Sequence, residues 1–410
     1  MKLGDSGTRR LGESPSAREA PLRIGSERVR LYGVGLFLIG LAQLRVVGSE
    51  GHFWDWPDFQ NAGLTVGTRA LLDPAARAAW GAAHHVATTA FTYMPGYAWL
   101  LYAPARLPLA WGFALNAIVM LVVCFAAARV AARAYSLDPR FALLAVLAWA
   151  PTTAAILTGQ NSPIGLLLWL SATVALAGGR DALTGLFAGL LLYKPTYAIP
   201  LGLLLLVRRK WTAIGAAALC GLGWYAASAL AAGNDWLWPS IYLRSLSGYV
   251  GSDFAYNAPK AVSLPGLLMR AGMSSGGAFA IGMVLLMLAA WRTRRRAVLE
   301  AMSVMAVVGV ATSPHAWPYD AVLVLPAIFW MIAGVAEPVR TRWVVGGYAV
   351  APSWLLSHVI GVDLLAGVVL GMAGVFGGRG KGGNSGNSYK GGDNENSGMT
   401  RTAGITRTTG

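Results

Sequence analysis

Charged residues are scarce in this sequence: aspartate, glutamate, lysine and arginine together make up only 12% of its 410 residues. Hydrophobic residues make up 55%, and the mean hydropathy is +0.52. This composition is far too apolar for a soluble domain of that length. The sequence therefore predicts a polytopic membrane protein.

Acidic residues are the scarcer of the two charged types, with 18 against 33 lysines and arginines and a net charge of +15. The basic residues occur in short clusters between apolar runs, which is typical of loops that face an anionic cytoplasmic leaflet. Three such clusters are residues 208–210, residues 292–296, and Arg340 with Arg342. The expected charged partners are therefore membrane lipids, and nucleic-acid binding is not expected.

Cysteine is almost absent, with only Cys124 and Cys220, and each lies inside an apolar segment. Two isolated thiols form neither a disulfide framework nor a metal-ligand spacing. We therefore expect no metal site and no bound cofactor.

Apolar runs long enough to cross a membrane follow one another along most of the chain. A hydrocarbon core of about 30 Å needs about 20 helical residues, so the runs predict about 11 or 12 spans. The predicted spans lie near 31–48, 91–107, 109–131, 141–158, 161–178, 182–207, 211–232, 275–291, 297–313, 316–336 and 343–377, the last as one span or two short helices.

Polar segments flank the predicted membrane domain, which covers residues 31–376. Residues 1–30 carry six arginines, which indicates a cytoplasmic tail followed by an uncleaved signal anchor. Residues 377–410 are rich in glycine, asparagine, serine and threonine, and we expect a disordered low-complexity tail.

Alternation of the predicted spans places residues 50–90 and 233–274 in two outward loops. It also places the three basic clusters inside, as the positive-inside rule requires. The same alternation leaves the arginines between 129 and 140 outside, against the rule. One segment between 91 and 207 is therefore either spanning or re-entrant.

Acidic residues crowd into the first outward loop, at Glu50, Asp55 and Asp58. Pro57 suits the first position of a helix, which would place Asp58 in its first turn, near the positive end of the helix dipole. Asp58 is then either a functional acid or only a complement to the helix N-terminus.

Aromatic residues accompany these acids in the first loop. Trp54, Trp56 and Phe59 have amphipathic rings of the kind that settle at a membrane–water interface. The sequence predicts an acid held at the bilayer surface by aromatic anchors.

Lys194 lies deep in an apolar run, where a charge costs at least a few kcal/mol unless it finds a partner or water. About a dozen residues separate it from either end of that run, too far for its side chain to reach the interface. We therefore predict a functional lysine that pairs with a phosphate or with a buried acid.

Other polar residues interrupt apolar runs at three places. The amides of Gln160 and Asn161 could bind sugar hydroxyls or could cap a helix end. At an outward turn, His315 could pair with a phosphate, while Asp320 could orient another group or simply begin a helix. In the second outward loop, which mixes aromatics with polar and charged residues, Asn257 and Arg270 are candidate substrate contacts.

Several short motifs occur in the order seen in glycosyltransferase family 87, which the chain resembles over about residues 30 to 335. They are Asp58-Phe59, Tyr93-Met94-Pro95, Gly159-Gln160-Asn161, Lys194-Pro195, and Ser313-Pro314-His315 with Tyr319-Asp320. The family usually has Tyr-Pro-Pro where this chain has Tyr93-Met94-Pro95.

The resemblance implies an all-α, C-type glycosyltransferase-like bundle with extracytoplasmic loop helices and a polyprenyl-phosphate sugar as donor substrate. It implies Asp58 as general base, and Lys194 and His315 as ligands of the donor phosphate. An inverting transfer needs a carboxylate to take the proton of the attacking hydroxyl, while the departing phosphate needs cations but no proton. The further predicted substrate-binding residues are Asp55, Gln160, Asn161, Asn257, Arg270 and Asp320.

These patterns favour a glycosyltransferase of the cell membrane with an outward-facing site. It would move a hexose, mannose by resemblance, from a polyprenyl-phosphate donor to a lipid or glycan acceptor. The alternative is a multi-pass transporter or lipid flippase, which Lys194 would also fit. A transporter would more often show paired halves, and it would not need a long acidic and aromatic loop after its first span.

Overall fold

The structure, a computed structural model, describes residues 55–86, 88–334 and 346–378. This part of the chain is helical and contains no β-strand. Its α-helices include α1 (Trp56–Thr65), α2 (Pro74–Ala83), α3 (Ala98–Ala105), α4 (Leu109–Tyr135), α5 (Pro139–Ala148), α6 (Ala150–Thr158), α7 (Ser162–Ala177), α8 (Asp181–Leu190), α9 (Pro195–Val207), α10 (Trp211–Ala231), α11 (Trp238–Asn257), α12 (Leu264–Arg270), α13 (Ser275–Thr293), α14 (Val298–Thr312), α15 (Leu325–Gly334), α16 (Ser357–Ile360) and α17 (Leu365–Gly378).

The described part of the first loop, which the sequence predicted to face outward, packs into the protein core. Helix α1 begins at Trp56, one residue before the predicted start, with Pro57 in its first turn. The Trp56 side chain is fully buried and Phe59 is only 3% exposed. The prediction that these two rings anchor the loop at a lipid surface is therefore wrong, and Trp54 lies outside the described residues.

Residues 91–107 do not form the predicted membrane span. Only Ala98–Ala105 is α-helical, and eight residues cover about 12 Å, less than half of a hydrocarbon core. Pro95 and Pro104 each lack a backbone donor, which prevents one long helix from running through this segment. Helix α3 instead packs along α1.

The bundle has a basic end. The Arg208 guanidinium donates a hydrogen bond to the carbonyl oxygen of Arg296 at 2.5 Å, so the two described basic clusters lie side by side. Helix α9, which ends just before Arg208, has 13 residues and therefore separates this end from Lys194 by about 20 Å.

Helix α4 removes the topological conflict over the arginines between 129 and 140. Near its start, the Asn116 amide donates to the carbonyl oxygen of Gly159 at 3.1 Å, far from the basic clusters. At its last residue, the Tyr135 hydroxyl lies 3.0 Å from Oγ of Ser303, in the half of α14 nearer the second cluster. These arginines thus lie toward the basic end, because the segment before α4 does not cross the bundle.

In the described residues three helices, α4, α10 and α13, are long and apolar enough to cross a membrane, and the pair α5–α6, bent by 63°, would be a fourth. They expose large side chains such as Trp111, Leu219 and Trp291, as lipid-facing helices do. The other apolar helices found in the described ranges have 10–17 residues. The total of about 11 or 12 spans stays a prediction.

Residues 233–274, which were predicted to form the second outward loop, contain α11 and α12, and the last predicted span contains α16 and most of α17. Four predicted features lie outside the described residues. They are the tail 1–30, the first span 31–48, the cluster of Arg340 with Arg342, and the segment 379–410 of the predicted disordered tail.

Candidate active site

The turn between α6 and α7 packs so closely against the start of α1 that only glycine fits at position 159. Gly159 has a φ of +81°, and a Cβ atom on it would lie 2.9 Å from the Cβ of Trp56. The Asp55 amide donates to the carbonyl oxygen of Thr158 at 3.1 Å. The turn therefore brings Gln160 beside Asp55.

Asp55, Gln160 and Tyr93 form a hydrogen-bonded chain of side chains from three distant parts of the sequence. Gln160 Nε2 donates to Asp55 Oδ2 at 2.7 Å, and the Tyr93 hydroxyl donates to Gln160 Oε1 at 2.5 Å. An ionised carboxylate only accepts, so it holds the amide nitrogen toward itself and the amide oxygen toward the tyrosine. Asp55 is half-buried, and the other two side chains are buried.

Lys194 pairs with a buried acid, one of the two partners that the sequence predicted. Its ammonium forms an ion pair with Asp320 Oδ1, and the two side chains are 8% and 2% exposed. The Tyr197 hydroxyl donates to the same oxygen, and the Trp317 backbone N–H donates to Asp320 Oδ2 at 2.9 Å. The buried carboxylate is thus compensated by an opposite charge and by hydrogen bonds.

The local chain explains the position of this lysine. Helix α8 ends at Leu190, a short 3₁₀ turn runs from Leu191 to Tyr193, and α9 begins at Pro195, which has no backbone donor to continue the earlier helix. The Lys194 ammonium lies 5.4, 4.7 and 5.2 Å from the ring centroids of Tyr93, Tyr197 and Tyr319. Cation–π attraction to these rings replaces part of the lost hydration.

Tyr93 connects the two groups of polar residues. Its hydroxyl belongs to the chain that starts at Asp55, and its ring faces the ammonium of Lys194. The half-buried carboxylate and the buried ion pair therefore belong to one site, at the end of the bundle opposite the basic clusters.

His315 lies on the turn that leads to Asp320, and it is half-buried. Its ring meets the Trp317 ring edge-on, with 5.0 Å between centroids. The Phe254 ring of α11 stacks with the Trp317 ring, with 6.4 Å between centroids. The end of α11, where Asn257 is the last residue, therefore reaches the same turn.

Two predicted substrate contacts stand apart from this arrangement. The Asn161 side chain is buried at 1% exposure, and its backbone carbonyl oxygen accepts a hydrogen bond from the Tyr193 hydroxyl at 3.2 Å. Arg270 is exposed at the end of α12 and lies beside Gly361. In the described part of the chain no contact joins Arg270 to Asp55 or to Lys194.

Asp58 joins two parts of the first loop. Its Oδ1 accepts hydrogen bonds from the Arg77 guanidinium at 2.9 Å and from the Thr89 amide at 2.6 Å, and its Oδ2 accepts one from the Thr89 hydroxyl at 2.8 Å. Arg77 Nε also donates to the Thr89 carbonyl oxygen at 2.7 Å. These hydrogen bonds among Asp58, Arg77 and Thr89 hold α1 and α2 against the segment that carries Tyr93.

This geometry weighs against the prediction that Asp58 is the general base. Burial raises the pKa of its carboxyl, opposed by the charge of Arg77 and the hydrogen bonds of Thr89, and a raised pKa suits a proton acceptor. A base must also be within hydrogen-bond reach of the substrate hydroxyl. The Asp58 carboxylate already accepts three hydrogen bonds from Arg77 and Thr89. The Asp55 carboxylate instead belongs to the hydrogen-bonded chain with Gln160 and Tyr93.

Sequence reasoning did not identify Arg77 or Tyr197, although each left a signal. Arg77 is the one charged residue of α2, whose sequence is otherwise alanine, glycine, proline and tryptophan. Tyr197 follows Lys194 by three residues at a helix start, which places both on one face. In the described ranges no group of three His, Cys, Asp or Glu side chains is placed to hold a metal ion.

In the described residues, a helical bundle with long apolar helices and a polar site at the end opposite its basic clusters defines a polytopic membrane protein with a candidate binding or catalytic site. The family model of glycosyltransferase family 87 matches residues 91–326, more than half of the chain. The chain belongs to glycosyltransferase family 87 and is a membrane glycosyltransferase, as the sequence motifs predicted.

The matched range contains Gln160, Lys194, His315 and Asp320, whereas Asp55 and Asp58 precede it. No curated protein and no solved structure matches the chain.

Proposed function

We propose that this enzyme transfers a hexose, mannose by family resemblance, from a polyprenyl-phosphate donor to a lipid or glycan acceptor with inversion at the anomeric carbon. The site faces the extracytoplasmic side of the cell membrane. Asp55, rather than Asp58, is the general base.

The observation that carries this proposal is the half-buried Asp55 carboxylate, held by Gln160 and joined through Tyr93 to the Lys194 pair. In an inverting transfer the acceptor hydroxyl oxygen bonds to the anomeric carbon while the bond from that carbon to the phosphate oxygen breaks. The hydroxyl proton passes to a carboxylate, and the electron pair of the broken bond leaves on the phosphate. Asp55 is the acid placed to receive that proton.

The leaving polyprenyl phosphate stays anionic and needs donors or cations rather than a proton. His315, half-buried on the turn before Asp320, is the proposed phosphate contact. Lys194 is a positioning residue in this scheme, because its ammonium binds Asp320 and so holds the turn that carries the histidine. Gln160, Asn161, Asn257 and Arg270 remain proposed contacts for sugar or acceptor.

Transfer from a labelled lipid donor tests the proposal directly. Purified enzyme in lipid nanodiscs is incubated with polyprenyl-phosphate mannose, polyprenyl-phosphate glucose or the matching sugar nucleotides, each with a membrane lipid extract as acceptor. We expect label transfer from a polyprenyl-phosphate sugar only, and an inverted anomeric configuration by NMR of the product. Transfer from a sugar nucleotide in the absence of any lipid donor would contradict the donor class, and retention would exclude a single displacement.

Cysteine labelling tests the orientation. In a background with Cys124 and Cys220 replaced by alanine, Thr68→Cys should react with a membrane-impermeant maleimide added to intact cells. Arg295→Cys should react only after permeabilisation, because the basic end is expected to face the cytoplasm. The reverse pattern would place the site on the cytoplasmic side.

A further inference from the structure

The basic end of the bundle carries more positive charge than its internal contacts use. Four basic side chains there donate hydrogen bonds to protein oxygens at 2.5 to 3.3 Å, and these contacts fix the ends of α9 and α13 to each other and to their neighbours. The donors and their acceptors are Arg208 with the carbonyl oxygens of Thr293 and Arg296, Lys210 with Asp181, Arg294 with the carbonyl oxygen of Trp291, and Arg296 with Glu300.

Three further arginines at this end are exposed and form no ion pair within the described ranges. Arg209 follows α9, Arg292 lies in the last turn of α13, and Arg295 follows α13. Each is next in sequence to a residue that takes part in the Arg208 hydrogen bonds, and consecutive Cα atoms are only 3.8 Å apart. These three unpaired arginines therefore surround a single contact between two helix ends.

Two exposed tryptophans place the three unpaired arginines at the level of lipid headgroups. Trp211 is the first residue of α10, and Trp291 directly precedes Arg292 in α13. Both indoles are more than half exposed, on helices long enough to cross a membrane. Tryptophan on such helices is typical of the boundary between hydrocarbon and headgroups.

The chemistry of this surface suits an anionic phospholipid. Like charges held close together repel each other, and more strongly beside lipid than in water, so the three unpaired arginines favour a bound anion. A guanidinium matches a phosphate group with two parallel hydrogen bonds. A phospholipid also brings acyl chains, which can cover exposed apolar side chains such as Leu219 of α10 and Leu288 of α13. A soluble anion offers nothing to those side chains.

From these observations we infer that Arg209, Arg292 and Arg295 bind the phosphate of an anionic phospholipid, whose acyl chains lie along α10 and α13. The inference is independent of the proposed function, because this end of the bundle lies about 20 Å from Lys194, the length of α9. A lipid held by both helix ends binds the folded protein only, so it should also raise the unfolding temperature.

Lipid binding to the purified enzyme tests the inference without any need for sugar transfer. Delipidated enzyme in detergent receives phosphatidylglycerol or phosphatidylcholine, and native mass spectrometry counts the bound lipids. We expect phosphatidylglycerol to bind more tightly. The variant Arg209→Gln/Arg292→Gln/Arg295→Gln should weaken that binding by about tenfold or more, since about tenfold follows the loss of one charge-assisted hydrogen bond. In this variant phosphatidylglycerol should no longer raise the unfolding temperature.

The matched control is Arg129→Gln/Arg133→Gln/Arg140→Gln, which changes three exposed arginines on α4 and α5. These two helices pack on each other, whereas the inferred lipid site lies where α9 packs on α13. Both triple variants remove three positive charges from the basic end, so unspecific attraction to an anionic lipid falls equally in both. We expect the control to bind phosphatidylglycerol as the unaltered enzyme does.

Three results would overturn the inference. Equal loss of binding in the two triple variants would show diffuse attraction instead of a site. Equal binding of phosphatidylglycerol and phosphatidylcholine would show no selection for negative charge. Displacement of the lipid by inorganic phosphate at the same concentration would mark a site for a soluble anion.

Discussion

Asp55→Asn is expected to lower turnover by about 10² or more, the size of effect that follows loss of a general base. Asparagine keeps the shape of the side chain, and its oxygen can still accept the hydrogen bond from Gln160 Nε2, but the amide does not take up a proton. Donor binding should change little, because the carboxylate acts on the acceptor hydroxyl. Single-turnover transfer and donor binding, measured on the same preparation, separate these two effects.

Asp58→Asn is the matched control, three residues away on the same loop. It removes the charge opposite Arg77, whose side chain is only 2% exposed. Breaking a buried ion pair in this way costs about 3–5 kcal/mol of stability. We expect a lower unfolding temperature, with turnover per folded molecule reduced far less than in Asp55→Asn.

A second variant separates folding from chemistry at Asp58. Asp58→Asn/Arg77→Met removes both charges, so it should recover part of the stability that the single variant loses. If this folded double variant has no turnover while Asp55→Asn remains active, Asp58 is the base and the assignment to Asp55 is wrong.

Lys194→Met is expected to be the most destabilising single change in the site. It leaves the Asp320 carboxylate, which is 2% exposed, without its opposite charge, at a cost of about 3–5 kcal/mol. Lys194→Arg keeps the charge and should be milder, although a guanidinium is larger than the ammonium that lies among three tyrosine rings. The unfolding temperatures of the Lys194→Met and Lys194→Arg variants, measured in the same detergent, test both expectations.

Both charges of the Lys194–Asp320 ion pair can also be removed in one variant. Lys194→Met/Asp320→Asn leaves no buried charge, so its stability should exceed that of Lys194→Met alone. If Lys194 acts by positioning the turn, the folded double variant should bind the lipid donor several-fold more weakly but still measurably, and His315→Ala should remove much of the remaining affinity. Loss of all donor binding in the folded double variant, with His315→Ala close to normal, would show that Lys194 itself contacts the phosphate.

The membrane class, the family and the interruptions in the apolar runs follow from the sequence alone. Composition decides the class, because a chain this poor in charge has no means of covering a soluble surface. The Lys194-Pro195 break follows from the missing proline donor, and the need of Lys194 for a partner follows from the cost of a bare charge in an apolar run. Gln160 and Asn161 likewise marked an interruption between two apolar runs, although the packing of Gly159 against Trp56 was not predictable.

Only the tertiary structure distinguished between Asp55 and Asp58 of the first loop. Asp55 and Asp58 have the same local setting, at the start of one helix, so propensity and the helix dipole do not separate them. Their partners do: Gln160 is 105 residues from Asp55, and Thr89 is 31 residues from Asp58. Contacts over such separations are decided by how the helices pack.

Helix packing also explains why the segment 91–107 was wrongly predicted to be a membrane span. Hydropathy measures how apolar a run is but not whether protein or lipid covers it, so a helix packed along α1 gave the signal of a membrane span. The sequence determined that this chain is a membrane glycosyltransferase, and it predicted Asp55, Lys194 and Asp320 as candidate site residues. Packing decided which of the acids faces that site, because side chains from the first loop, the α6–α7 turn and the 313–320 turn meet only once the bundle has folded.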